Sequence, residues 1–189
     1  AGGTYTINNP QALLMGPDRN GDSISDLYVA NTGQQNVLVF DPTDGAYITK
    51  ITKSGDGTGG HYSLNSLSGM LIVGNDMLLS SWSQGEILKF NAATGDYLGV
   101  FASGPNMSGD PLYRPWNMKL GPDGNLYVGT DDGLEEFSPN GTYIGTPIPG
   151  QFRGDFAIYP NAVAVPEPAS LGLIGMGGVL LLRRGRRCA

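Results

Sequence analysis

"SDLYVANTGQQNVLVFDPTDGAYITKI" runs from Ser25 to Ile51 and reads as three short β-strands joined by polar turns. Leu27, Tyr28 and Val29 form the first strand and Val37 to Phe40 the second. Asp44-Gly45 then supplies a hairpin pair, because Asp and Gly tolerate the positive φ of a tight turn. A third strand opens at Tyr47. The same steps recur in "NDMLLSSWSQGEILKFNAATGDYLGVF" from Asn75 and in "GNLYVGTDDGLEEFSPNGTYIGTPI" from Gly124.

The turn glycines Gly45, Gly95 and Gly141 stand 50 and then 46 residues apart. A further strand precedes each unit, at Ala12 to Met15, Ser66 to Val73 and Asn117 to Leu120. Four short strands at this period make a propeller blade. The sequence therefore predicts an all-β fold, a partial β-propeller of about three four-stranded blades, over residues 1–160. The units resemble NHL-type propeller repeats over residues 11–148, a likeness that implies a fold and no particular activity. Closed propellers typically have four to eight blades, so the expectation is a fragment of a longer propeller. The opening Ala1-Gly2-Gly3 fits a removed leader or a missing N-terminal part.

The formal charge of -6 is unevenly divided, -9 over residues 1–165 and +3 over 166–189. An acidic body repels phosphate polymers, which excludes a nucleic-acid partner. Cys188 is the one cysteine and His61 the one histidine, so neither an internal disulfide nor a Cys-based zinc site can form. His61 lies in "SGDGTGGHYSLNS" beside Ser63 and Asp56. No nucleophile elbow accompanies it, and it reads as an ordinary loop residue.

Two groups invite a chemical reading. In "DRNGDSISD", oxygen-bearing side chains fall at positions 1, 3, 5 and 9, as Asp18, Asn20, Asp22 and Asp26, with the Ile24 carbonyl at position 7. Calcium takes six to eight oxygens at such a spacing, and the stretch resembles the calcium loops of FG-GAP-type propeller repeats. Ser23 stands where that pattern has Gly, and no Glu follows at position 12; a solvated turn insertion is the other reading. Asp131, Asp132, Glu135 and Glu136 form an acidic group that reads as a solvated blade rim. Trp82, Trp116, Tyr113 and Arg114 sit in or beside loops between blades, as packing residues or as a rim for carbohydrate or protein.

The chain ends "VPEPASLGLIGMGGVLLLRRGRRCA" from Val165. Fourteen small or apolar residues from Ala169 to Leu182 predict a short C-terminal hydrophobic helix of about 21 Å, less than a roughly 30 Å hydrocarbon core. Arginines hold their end of such a segment on the cytoplasmic side. Pro166, Glu167 and Pro168, the oily run, and Arg183, Arg184, Arg186 and Arg187 together resemble the PEP-CTERM sorting domain, placed here at residues 161–189. That resemblance implies handling by an exosortase-type processing enzyme in a Gram-negative bacterium that secretes exopolysaccharide. It also implies a transient inner-membrane intermediate and display at the cell surface or in the extracellular matrix. The expected function is an exported, non-catalytic binding or structural propeller whose partner is a polysaccharide or surface protein, with calcium as the one candidate cofactor. The alternatives are a propeller-type metal-dependent hydrolase or lactonase and a stably tail-anchored membrane protein.

Overall fold

Alternating side chains commit each strand of a repeat to two faces, and the pairing register decides which face meets which neighbour. The computed structural model describes residues 4–52, 64 and 66–158, all within a unit ending at Ile158. His61, the expected C-terminal helix and the sorting-signal residues Pro166, Glu167, Pro168, Arg183, Arg184, Arg186 and Arg187 lie outside the described residues.

Among the described residues, twelve strands form three separate four-stranded meanders. The first blade holds β1 (Pro10–Gly16), β2 (Asp26–Asn31), β3 (Asn36–Phe40) and β4 (Tyr47–Ile51). The second holds β5 (Leu67–Val73), β6 (Asp76–Ser81), β7 (Glu86–Asn91) and β8 (Tyr97–Ser103). The third holds β9 (Met118–Leu120), β10 (Leu126–Gly129), β11 (Gly133–Phe137) and β12 (Tyr143–Pro149). All pairings are antiparallel and follow chain order. Three four-stranded blades are therefore present, as the repeat predicts.

The middle blade is buried on both faces. Met77, Leu79, Leu88 and Phe90 pack against Tyr28, Ala30, Val37 and Val39 of the first blade. Leu78 and Ile87, one residue out of phase, pack against Met118, Leu126, Val128 and Phe137 of the third. This explains why β6 reads Met77-Leu78-Leu79 without alternation: a strand covered on both sides needs no polar face. The Tyr28 hydroxyl donates to the carbonyls of Pro17 (3.0 Å) and Ala92 (3.2 Å), which ties the first two blades. The opposite face of the first blade is only partly covered. Tyr5 stacks on Tyr47 at 4.9 Å, while Leu13 and Met15 remain 67% and 52% exposed.

The inner strands β1, β5 and β9 lie side by side and border a cleft lined by Gln11, Met70 and Lys119, with Asn117 just before β9. Lys119 pairs there with Asp155 at 3.0 Å. At the opposite ends of the blades, Gly45, Gly95 and Gly141 take the expected positive φ of 73°, 78° and 85°. Their surroundings differ. A Cβ on Gly45 would meet nothing, whereas one on Gly95 would press on Ile51 Cγ1 at 2.9 Å and Arg19 Nη1 at 3.0 Å.

Gly45→Ala should therefore cost about 1 kcal/mol of left-handed strain, and Gly95→Ala roughly 2–3 kcal/mol once crowding is added. Urea midpoints of the two variants check this, and equal losses would contradict the blade-to-blade contact at Gly95.

Candidate functional site

The turns β2–β3, β6–β7 and β10–β11 and the starts of β1, β5 and β9 share one end of the blades, and the segment 104–117 crosses there from the second blade to the third. Its course is held by hydrogen bonds to both blades. On the second, Ser68 Oγ donates to the Pro115 carbonyl and Ser80 Oγ to the Trp116 carbonyl, each at 2.6 Å. Gly69 is required beside them, because a Cβ would collide with the Trp116 carbonyl oxygen. On the third, the Trp116 amide donates to Gly129 O at 2.7 Å and the Asp131 amide to Tyr113 O at 3.0 Å. Leu112 and Arg114 adopt left-handed φ of 61° and 52°, a conformation that side-chain-bearing residues avoid unless their surroundings impose it.

Asp131 organises this end. Its side chain is 3% exposed and its two oxygens accept four donors: Arg153 Nε at 2.6 Å, Arg153 Nη2 at 2.8 Å, Trp116 Nε1 at 3.0 Å and Arg114 Nη1 at 3.3 Å. Arg153 arrives from beyond β12, where Phe152 N bonds Thr130 O at 2.8 Å. Burial alone would raise the Asp131 carboxyl, but the Arg153, Trp116 and Arg114 hydrogen bonds outweigh it and hold it below the ordinary aspartate value. Glu135 is also buried, and burial raises it above the ordinary glutamate value against the opposing Leu112 amide and Thr130 hydroxyl.

The acidic group expected as a solvated rim is thus corrected in part. Asp131 and Glu135 are buried anchors for the crossing segment, because backbone and arginine donors converge on them. Asp132 caps the same segment through Ser108 Oγ at 3.1 Å. Glu136 faces away, toward Asn125 Nδ2 at 2.6 Å.

Above Asp131 the aromatic residues form a ladder. The Arg114 guanidinium carbon lies 4.7 Å from the Trp82 ring centre and 4.9 Å from that of Tyr113. Trp82 and Trp116 meet edge to face at 6.3 Å and 71°. Both indoles are half-buried and stand outside the apolar clusters between blades. They border an open cleft of about 180 Å³ whose other walls include Asn9, Gln11, Thr32 and Ser68. The structure thus brings Trp82, Trp116, Tyr113 and Arg114 together and adds Asp131, Arg153 and the amide and hydroxyl groups of the first blade. Asp18, Asn20, Asp22 and Ile24 lie at the opposite end, in the β1–β2 loop, and Asp26 opens β2 beside them.

A family described as a 6-bladed β-propeller matches residues 13–102, and the PEP-CTERM protein-sorting motif matches residues 164–187. The chain is therefore a propeller-repeat protein that carries a PEP-CTERM signal, and that signal implies export and sorting to the cell surface. No curated protein matches the chain. Among solved structures it is similar to Kuenenia stuttgartiensis hydrazine synthase, at 14% identity and a TM-score of 0.52, covering 76% of this chain and 37% of that one. It is also similar to virginiamycin B lyase from Staphylococcus aureus, at 14% and 0.50, covering 73% and 41%. A structural-genomics target named as a gluconolactonase matches at 14% and 0.54, covering 77% and 50%. These likenesses show the fold alone, and the chain spans half or less of each of those three proteins.

Trp82 and Trp116 are the only tryptophans, so indole fluorescence reports this site directly. A carboxylate with a depressed folded pKa contributes stability that is present above its unfolded value and is lost as pH falls through the folded one. The Asp131 contribution should therefore persist at neutral pH and disappear below pH 3.8, the ordinary value. The emission of the native protein should shift in that acid range. Asp131→Asn should show the shifted emission already at pH 7 and lose about 2 kcal/mol of stability; unchanged emission would contradict the clamp.

Proposed function

We propose that this exported propeller is a non-catalytic binding protein of the cell surface or extracellular matrix, and that its Trp82–Trp116 pair docks a neutral polysaccharide. The observation that carries this reading is the pairing of two half-buried indoles with a cleft walled by Asn9, Gln11, Thr32 and Ser68. Sugar rings present apolar C–H faces that stack on aromatics and hydroxyls that bond amides and alcohols. The acidic body, -9 over residues 1–165, disfavours polyanionic chains. Asp131 and Glu135 have their oxygens engaged by protein donors, which supports a positioning role for them over acid–base chemistry. Export proceeds through an inner-membrane intermediate, with an exosortase-type enzyme acting at Pro166-Glu167-Pro168.

Affinity electrophoresis in gels cast with neutral β-glucan or with polyanionic pectin tests the ligand. Retardation should appear in the β-glucan gel, fall at least fivefold in Trp82→Ala and Trp116→Ala, and be absent in pectin. Native mobility in every gel would overturn the ligand class. Sorting is tested separately by mass spectrometry of secreted and membrane fractions. The mature protein should lack a peptide spanning Pro168 to Arg183, and changing Pro166, Glu167 and Pro168 to Ala should retain it in the membrane fraction. Retention of that peptide in the native mature protein would instead mean a permanent tail anchor.

A further inference from the structure

At the end of the blades remote from the tryptophans, the β1–β2 loop holds a concentration of negative charge that makes no ion pair among the described residues. Asp26 is 0% exposed. Its Oδ2 accepts the Arg19 amide at 2.7 Å, but its Oδ1 is buried without a hydrogen-bond partner. Leaving a carboxylate oxygen desolvated and unpaired is costly. Burial pushes the Asp26 carboxyl up, and the Asp18, Asp22 and Asp41 charges around it push it further against the Arg19 amide. Among the described residues none of these four carboxylates has an ion-pair partner. Arg19, the nearest cation in sequence, instead sends Nη2 to Thr94 O of the second blade at 2.8 Å.

The loop is already wound around its acids. Asp18 accepts the amides of Asn20, Gly21 and Ser23 at 3.0, 2.6 and 2.7 Å. Asn20 Oδ1 accepts the Asp22 amide at 3.0 Å, and Asp22 Oδ1 the Ile24 amide at 2.7 Å. Asn20 Nδ2 bridges Asp22 Oδ2 at 3.2 Å and Asp41 Oδ2 at 3.1 Å. Asp41 follows β3, so a second hairpin of the same blade contributes a carboxylate that the loop's own spacing does not include.

We propose that Asp18, Asn20, Asp22, the Ile24 carbonyl, Asp26 and Asp41 form a calcium site that staples the β1–β2 loop to the β3–β4 turn. Oxygen-only donors and several carboxylates suit calcium, whose coordination is larger and more tolerant than that of magnesium. Among the described residues no three acidic, His or Cys side chains already stand at metal-holding positions. Binding therefore closes the loop: Asn20 turns its oxygen inward in place of its amide, and the unpaired Asp26 oxygen gains a cation. Because Arg19 reaches Thr94, closure also stiffens the junction of the first two blades. The site stands apart from the polysaccharide face, and its test does not depend on that ligand.

Melting the full chain in EDTA and then in about 10 mM calcium decides the matter, with magnesium and sodium chloride at equal ionic strength as controls. Calcium should raise the midpoint by roughly 3–8 °C, as expected for weak extracellular-type affinity in a domain of this size, and magnesium by less than half of that. Asp26→Asn should melt no lower than native protein in EDTA, since it removes a buried charge, yet lose the calcium shift. Asp41→Asn should reduce the shift without touching the loop, and Asn20→Asp should lower the EDTA midpoint and enlarge the shift. No calcium shift, an equal magnesium shift, or a full shift in both Asp26→Asn and Asp41→Asn would overturn the site.

Discussion

A four-stranded sheet that is apolar on both faces cannot stand in water, and the middle blade of this protein is such a sheet. Met77 and Leu79 point one way and Leu78 the other, so β6 is stable only with a blade on either side. That constraint sets the order of the molecule. It fixes the pairing register, because a slip of one residue would exchange the two buried faces. It also brings the ends of three inner strands together, where their turns and connecting segments meet.

The tryptophan site follows from that convergence. The chain must pass from β8 to β9 across the boundary between two blades, and backbone leaving a sheet has amides and carbonyls to satisfy. Ser68 and Ser80 satisfy the carbonyls of Pro115 and Trp116, while Glu135 accepts the Leu112 amide. Asp131 draws Trp116, Arg114 and Arg153 onto one carboxylate, and Arg114 in turn lies against Trp82. Two indoles are thereby set at a fixed angle beside a cleft, by charged groups that are themselves internally balanced. The β1–β2 loop is the opposite case, with acids gathered and, among the described residues, no ion pair to any of them.

Strands, blades and hairpin glycines were legible in the sequence because their causes are local. Short apolar strands between polar turns recur at a blade-like period, and Asp44-Gly45 marks a turn that needs positive φ. The sorting tail was legible for a different reason: three features in fixed order over two dozen residues rarely coincide. The burial of Asp131 and Glu135 is not legible in the sequence, because nothing beside them predicts it. Their partners, Arg153 and the Leu112 amide, lie 22 and 23 residues away and meet them only after the blades dock. The role of Asp41 is hidden likewise, since it joins the Asp18–Asp26 loop through Asn20 from the next hairpin of the same blade. The tryptophans could be placed on loops from sequence, but whether they packed or faced a cleft depended on blade geometry.

Native-state amide hydrogen exchange tests most directly whether burial of the middle blade on both faces governs this molecule. Amides of β6 and β7 should exchange slowest, at the rate set by global unfolding, with those of β1 and β12 opening earlier and independently. Protection that is uniform across the three blades, or highest in the first or third, would contradict the account.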